Sequence, residues 1–250
     1  MKSDQQFDVQ RDGFQTLTIP ISTVYEIVLV APGNSNFIFW NHPGVRIIGK
    51  FELKKGQKIT AALGQRGNSH WCGSGGSFLV LESDEGPKPL LIAGGAGRAW
   101  HEEFGRGNIK QTAAGNENVG SSGKQKKIGF FERNNIYCAG AGFNKAPEVS
   151  HLAEGCVAPK SYKDGLTGGK GVDVGGYVRE GGFGGGGGFY YRRVNGEGKY
   201  YCGAGGGFTG GSTKVDGWNC LGGGGGSFSA DPQAIFDHKY VEYGNCKISK

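Results

Sequence analysis

Residues 180–191 read EGGFGGGGGFYY, a run of glycines with no side chains to bury, closed at both ends by aromatic rings that favour burial. Two readings compete for it. Glycine loses more conformational freedom on folding than any other residue, and glycine-rich chains behave as flexible coils, which describes a linker. The other reading makes the run part of a packed body, held by backbone groups rather than by side chains. Composition separates the two. The 51 glycines and 8 prolines among 250 residues approach a low-complexity chain, yet 36% of the residues are hydrophobic and 12% aromatic. Disordered segments lack that apolar content, which offsets the entropy of ordering. A folded body is therefore expected.

Toward the N-terminus the chain offers a series of short β-type runs: FQTLTIPI, VYEIVLVAPG, FIFW, VRIIGKFEL, KITAALGQRG, SFLVLES and PLLIAGG. Phe14, Leu17, Ile19 and Ile21 alternate loosely with polar residues, and Phe78, Val80 and Glu82 do so in part, the pattern of half-buried strands. Turn signals at Pro32-Gly33, Pro43-Gly44, Gly64, Gly67 and Asp84 to Pro87 recur at the spacing of an antiparallel sandwich, and no segment carries a capped helical stripe. From Gly94 onward the texture changes to glycine clusters, and strand-like residues return only in HKYVEYGNCKI. A sheet interrupted by glycine and then resumed describes an insertion. We read residues 1–250 as one composite unit: 12–93 as the main part of a β-sandwich, 94–228 as the glycine-rich insertion, and 229–250 as a returning strand.

Glycine runs suit one kind of insertion. In the extended left-handed helix with three residues per turn, N–H and C=O groups point outward with no internal partners. Once buried, they must be satisfied by neighbouring segments, and only chains without Cβ lie close enough to do so repeatedly. Phe183, Phe189, Phe208 and Phe228, at the ends of the glycine runs, would cap such rods or plug them into the sandwich.

GSGGSFLVLESDEGPKPLLIAGGAGRAW (73–100), GGYVREGGFGGGGG (175–188), GAGGGFTGG (203–211) and GGGGGSF (222–228), with the lead-in FELKKGQKITAALGQRG (51–67), resemble in that order the extracellular glycine-rich region of the anaplastic lymphoma kinase and leukocyte tyrosine kinase receptors. The resemblance covers nearly the whole chain. It implies an all-β fold, a tumour-necrosis-factor-like β-sandwich with an inserted bundle of polyglycine-type helices, which binds a cytokine-like protein ligand and catalyses nothing. It also implies a disulfide between Cys156 and Cys202. In the family, basic ligands dock on acidic side chains. The matching positions here are Glu102 and Glu103 in GRAWHEEF, and Asp216 in the loop after the aromatic Phe208. That loop adds Lys214, so a basic chain of net charge +6 departs from the family's ligand mode and would be steered toward acidic partners. For Phe208 a core ring closing a glycine rod is the competing reading.

Other function classes find little support. The six cysteines, Cys72, Cys138, Cys156, Cys202, Cys220 and Cys246, lack the close pairs of a zinc site and fit an oxidising compartment. No metal or cofactor is expected. The five histidines are scattered, with neither a nucleophile elbow nor a His-Glu-x-x-His helix. No glycine run follows a strand, opens a helix and leads to a ribose-binding acid. YYRR (190–193) and GKQKK (123–127) place cations beside rings or glycines, which keeps nucleic-acid binding as a further alternative, alongside a secreted structural or adhesive role. The opening MKSDQQFDVQ is polar, and no run reaches the length of a membrane span. An extracellular or cell-surface location is expected, as a receptor fragment or a stand-alone relative. No feature specifies an oligomeric state.

Overall fold

The computed structural model describes residues 5–6, 13–35, 41–99, 105–110, 138–147, 155–173, 175–194, 197–216 and 219–250, with backbone alone at 5–6, 192, 194, 214–216 and 219. The FIFW run, residues 37–40, lies outside the described residues. The front half supplies β1 (Gln5–Gln6), β2 (Phe14–Thr18), β3 (Thr23–Val30), β4 (Asn34–Ser35), β5 (Asn41–His42), β6 (Gly44–Leu53), β7 (Lys58–Ala62), β8 (Ser77–Leu81) and β9 (Lys88–Ala93). The glycine-rich region supplies β10 (Lys170–Val172), β11 (Val178–Glu180), β12 (Tyr190–Val194), β13 (Glu197–Tyr201), β14 (Thr213–Asp216) and β15 (Asn219–Gly222). The chain then closes with β16 (Phe228–Ser229), β17 (Ile235–Lys239) and β18 (Asn245–Ser249). The fold is all-β. Among the described residues, helical structure is confined to short turns such as the 3-10 turn Tyr162–Asp164.

Two five-stranded antiparallel sheets form the body, one in the order β1-β18-β3-β6-β17 and the other β16-β9-β8-β7-β2. Residues 235–249 return to the first sheet as two separate strands. Strand β17 pairs with β6, setting Ile235 opposite Ile48, and β18 pairs with β3, setting Cys246 opposite Leu29. Between the sheets lies a core of Ile27, Leu29, Ile47, Ile59, Leu79, Leu91 and their neighbours. Removing this apolar area from water is the main favourable term for the sandwich.

The central strands of the second sheet, β7 to β9, are buried on both faces over most of their length. Alternate residues of β7, β8 and β9 turn away from the sandwich core, so that Ala62, Phe78, Val80 and Ile92 pack instead against Phe143, Tyr162, Leu166 and Phe183 of the glycine-rich region. The pattern of SFLVLES fades for this reason: a strand covered on both sides is apolar on both sides. A half-buried reading of Phe78 and Val80 is thus corrected to full burial, each being 0% exposed.

The third layer is built from glycine. Residues 182–189 are buried, and their backbone groups bond to segments distant in sequence. Gly73 N donates to Gly187 O (2.8 Å), Gly187 N to Ala204 O (2.8 Å), Ala204 N to Cys138 O (2.8 Å) and Gly182 N to Gly73 O (2.9 Å). A second set links Gly95 N to Gly206 O, Gly225 N to Gly95 O and Gly205 N to Gly223 O, each at 2.9 Å. At Gly186 the approach leaves no room for a side chain. A Cβ there would lie 2.8 Å from Gly182 N and 2.9 Å from Ser74 C, with Gly73 O closer still. Residues 182–189 of EGGFGGGGGFYY are therefore an interior segment, in which Gly182, Gly184, Gly186 and Gly187 all donate to backbone carbonyls as burial demands.

The glycine-rich region also carries three antiparallel hairpins that its composition does not announce: β10–β11, β12–β13 and β14–β15. Its disulfide joins Cys202 to Cys220. This corrects the pairing of Cys156 with Cys202 that the resemblance implied; Cys156 is a free thiol, packed with Cys138 and Tyr201. Carrying a pairing over by motif order assumes unchanged neighbours. Here β14–β15 brings Cys220 to within 5.3 Å of Cys202 in Cα separation, inside the range a disulfide spans.

Candidate functional site

Of the residues expected to meet a ligand, the structure places one fully. Phe208 is half-buried in the seam between the second sheet and the glycine layer, stacked on Phe228 with centroids 4.7 Å apart. Its N–H donates to Gly226 O (2.8 Å) and its carbonyl accepts from Phe143 N (3.0 Å). Tyr162 is the hub of the same seam, 4.9 Å from Phe143, 5.6 Å from Phe78 and 5.5 Å from Phe14. Burial, with a further contribution from Glu82, pushes the Tyr162 hydroxyl up. Phe208 thus serves as a ring that joins two layers. Asp216 sits at the end of β14, its backbone opposite Asn219, and its side chain lies outside the described residues. Glu102 and Glu103 also lie outside them. Of the four expected site residues, Phe208 is thus the one whose side chain lies among the described residues.

A second region has the makings of a site. The chain between β7 and β8 meets the β17–β18 turn, and between them lies a groove of about 310 Å³ lined by Gln65, Arg66, Asn68, Glu242 and Tyr243. Arg66 spans it, with Nη1 donating to Glu242 Oε1 at 3.2 Å and Nη2 to Ser35 Oγ at 2.5 Å. Asn68 ties the groove to the glycine layer, accepting from Glu180 N at 2.9 Å and donating to Val178 O at 3.2 Å. The groove mixes polar and apolar surface, its Arg66 and Glu242 charges offset each other, and Tyr243 is 42% exposed.

Beyond Asn68 the electrostatics become positive. His70 lies 4.9 Å from Trp71, and its imidazole is held below the usual value by burial first and then by the charges of Arg98, Arg179 and Arg66. It is therefore neutral at neutral pH. The Arg98 guanidinium lies 4.9 Å above the Trp71 ring, a cation–π arrangement, and burial lowers its pKa to about 10. Arg179 is held by Asp173 at 2.6 Å. Burial alone would raise the Asp173 carboxyl, but hydrogen bonds from Arg179, Gly175 and Tyr177 outweigh it and keep the carboxyl low. This concentration of cations and rings was legible only as isolated letters, because its members come from three separate stretches of chain.

The thiols give no sign of catalytic use. Burial raises Cys72 to about 11 and Cys246 to about 12, and holds Cys138 well above its ordinary value. Reactive cysteines are depressed and accessible instead. Among the described residues, no group of three or more His, Cys, Asp or Glu side chains is placed to hold a metal ion, and no helix is long and apolar enough to cross a membrane. Comparison with protein-family models gives no match, and comparison with curated proteins gives none either.

Proposed function

We propose that this chain is a non-catalytic, extracellular binding module for a protein ligand, built as a tumour-necrosis-factor-like sandwich with an inserted bundle of polyglycine-type helices, as in the ligand-binding region of the anaplastic lymphoma kinase and leukocyte tyrosine kinase receptors. The observation that carries the reading is the backbone network of the glycine layer. Segments around Gly73, Gly95, Gly187, Gly205 and Gly223 exchange N–H···O bonds across the chain, and these are stretches that hold the resembling motifs. A layer cohered by backbone leaves its outward side chains free for recognition. It is also stiff, which lowers the ordering cost of association. The Cys202–Cys220 disulfide accords with an oxidising, extracellular compartment.

The test is a biosensor titration of the immobilised chain against a panel of small folded proteins, half basic and half acidic, at physiological salt. Saturable binding with a micromolar or tighter Kd, abolished when the chain is heat-unfolded, is the expected result. A chain that stays folded and binds no protein of either charge overturns the reading.

A further inference from the structure

Rings and cations form a continuous ladder on the glycine-rich region. It begins at Arg98 over Trp71, continues from Trp71 to Phe189 (5.5 Å) and from Phe189 to Tyr200 (6.4 Å), and crosses from Tyr200 to Tyr191 (5.0 Å) on the β12–β13 hairpin. There the Tyr191 hydroxyl accepts a long hydrogen bond from Arg193 Nε at 3.4 Å. The ladder thus runs from a buried guanidinium to an exposed one.

The hairpin at its outer end is unusual in charge. Its register sets Arg192 directly opposite Lys199 and Arg193 opposite Gly198, and Glu197 is its one acid. Like charges facing each other across a strand pair are unfavourable in isolation. The hairpin keeps this arrangement while Arg193 and Lys199 stand exposed. Tyr191 lies over Gly198, where a Cβ would come 2.7 Å from the hydroxyl, so the ring is fixed beside the cations. Trp, Tyr and Arg are also the residue types that dominate binding energy at protein interfaces.

We infer that the β12–β13 hairpin and the ladder behind it form the ligand face, and that the face takes an acidic polypeptide segment, whose carboxylates meet the exposed cations of Arg193 and Lys199. This rests on the reading of the chain as a protein-binding module and names the chemistry of the partner. Single-stranded nucleic acid also seeks cations and rings, but it needs open ring faces for its bases. Here Phe189 lies between Trp71 and Tyr200, and Tyr200 between Phe189 and Tyr191. Phe189 and Tyr200 are thus already flanked by other rings, which leaves them less open to stacked bases.

The probe is a poly-glutamate peptide, titrated at low and physiological salt against the folded chain, an Arg193→Glu/Lys199→Glu variant, a neutral Arg193→Gln/Lys199→Gln variant, and Lys55→Glu as a control at an exposed turn of the sandwich. Poly-lysine, an oligo-dT strand and the basic members of the protein panel are run in parallel. The inference expects poly-glutamate to bind and to weaken steeply with salt. Affinity should drop about tenfold or more in the charge-reversed variant, less in the neutral one, and stay unchanged in Lys55→Glu. The neutral variant decides the matter if the reversed one fails to fold. Unchanged poly-glutamate affinity in the folded hairpin variants overturns the assignment, as does binding of oligo-dT in preference to poly-glutamate. If a basic protein binds and poly-glutamate does not, the acidic-partner inference falls while the binding-module reading stands. If no polypeptide or protein binds, the binding-module reading itself falls.

Discussion

Replacing Gly186 by alanine adds one methyl group where three backbone segments of the glycine layer meet. The added Cβ would press on Gly73 O and stand 2.8 Å from Gly182 N and 2.9 Å from Ser74 C. All three are backbone atoms, so no side chain can swing aside. Forcing a methyl into a packed interior costs about 1–3 kcal/mol. The Gly73 segment must also retreat, which weakens its bond to Gly187 (2.8 Å) and the Gly182-to-Gly73 bond (2.9 Å), each worth about 1 kcal/mol net. The sum is about 3–5 kcal/mol. At about 2–4 °C per kcal/mol for a chain of this size, the melting point should fall by about 6–20 °C in a circular dichroism scan. Gly186→Val should fall further. Gly176→Ala is the matched control, because a Cβ there meets nothing within 4 Å and only its φ of +75° opposes it, at about 1–2 kcal/mol. If Gly186→Ala melts with or above Gly176→Ala, the segments yield freely and the close-packed backbone layer is wrong.

Truncating Phe208 to alanine should lower stability by about 2–3 kcal/mol, less than for a fully buried ring, in guanidinium unfolding, and should leave poly-glutamate affinity unchanged; a lost affinity would return Phe208 to the binding face. Removing the Cys202–Cys220 bridge with a double serine variant frees a connection of 18 residues and should cost about 3 kcal/mol on the loop-entropy account, while mass spectrometry of the parent should find this pair and no Cys156–Cys202 peptide. Asp237 is held below its usual pKa, chiefly by its hydrogen bond from Arg46, so the folded state binds fewer protons than the unfolded one. The stabilisation is present above about pH 4 and lost as pH falls through the folded value. Both partners are more than a third exposed, so Asp237→Asn should cost only about 0.2–1 kcal/mol at neutral pH. The buried thiols act in the opposite sense: with Cys72 near 11 and Cys246 near 12, the folded chain retains protons that unfolded thiols release above about pH 8.5. Stability should decline in alkali by up to about 1.4 kcal/mol per pH unit per thiol, and Cys246→Ala should flatten that decline in melts taken from pH 8 upward.

The strands of the front half were legible because a half-buried strand prints its environment on alternate residues. TVYEIVLV, as β3, shows it in Tyr25, Ile27 and Leu29, all buried between the sheets. The interior position of EGGFGGGGGFYY was legible too, from the apolar content of the chain around it. What the letters could not convey is which backbone meets which. Gly73, Gly187 and Ala204 bond in sequence across the layer, yet an N–H or C=O carries no residue identity, so no pattern marks the partner. The same limit applies to Cys202, whose partner was decided by the β14–β15 hairpin that brings Cys220 alongside, and to SFLVLES, whose second buried face exists only because Tyr162 and Phe183 arrive from afar. The ladder from Arg98 through Trp71, Phe189, Tyr200 and Tyr191 to Arg193 is the extreme case. Its residues are ordinary where they stand in the chain and come together only in the fold. Local periodicity records whether a residue is buried, because burial selects the side chain at that position; contact between distant segments selects a pair, and in a glycine layer the pair has no side chains to select.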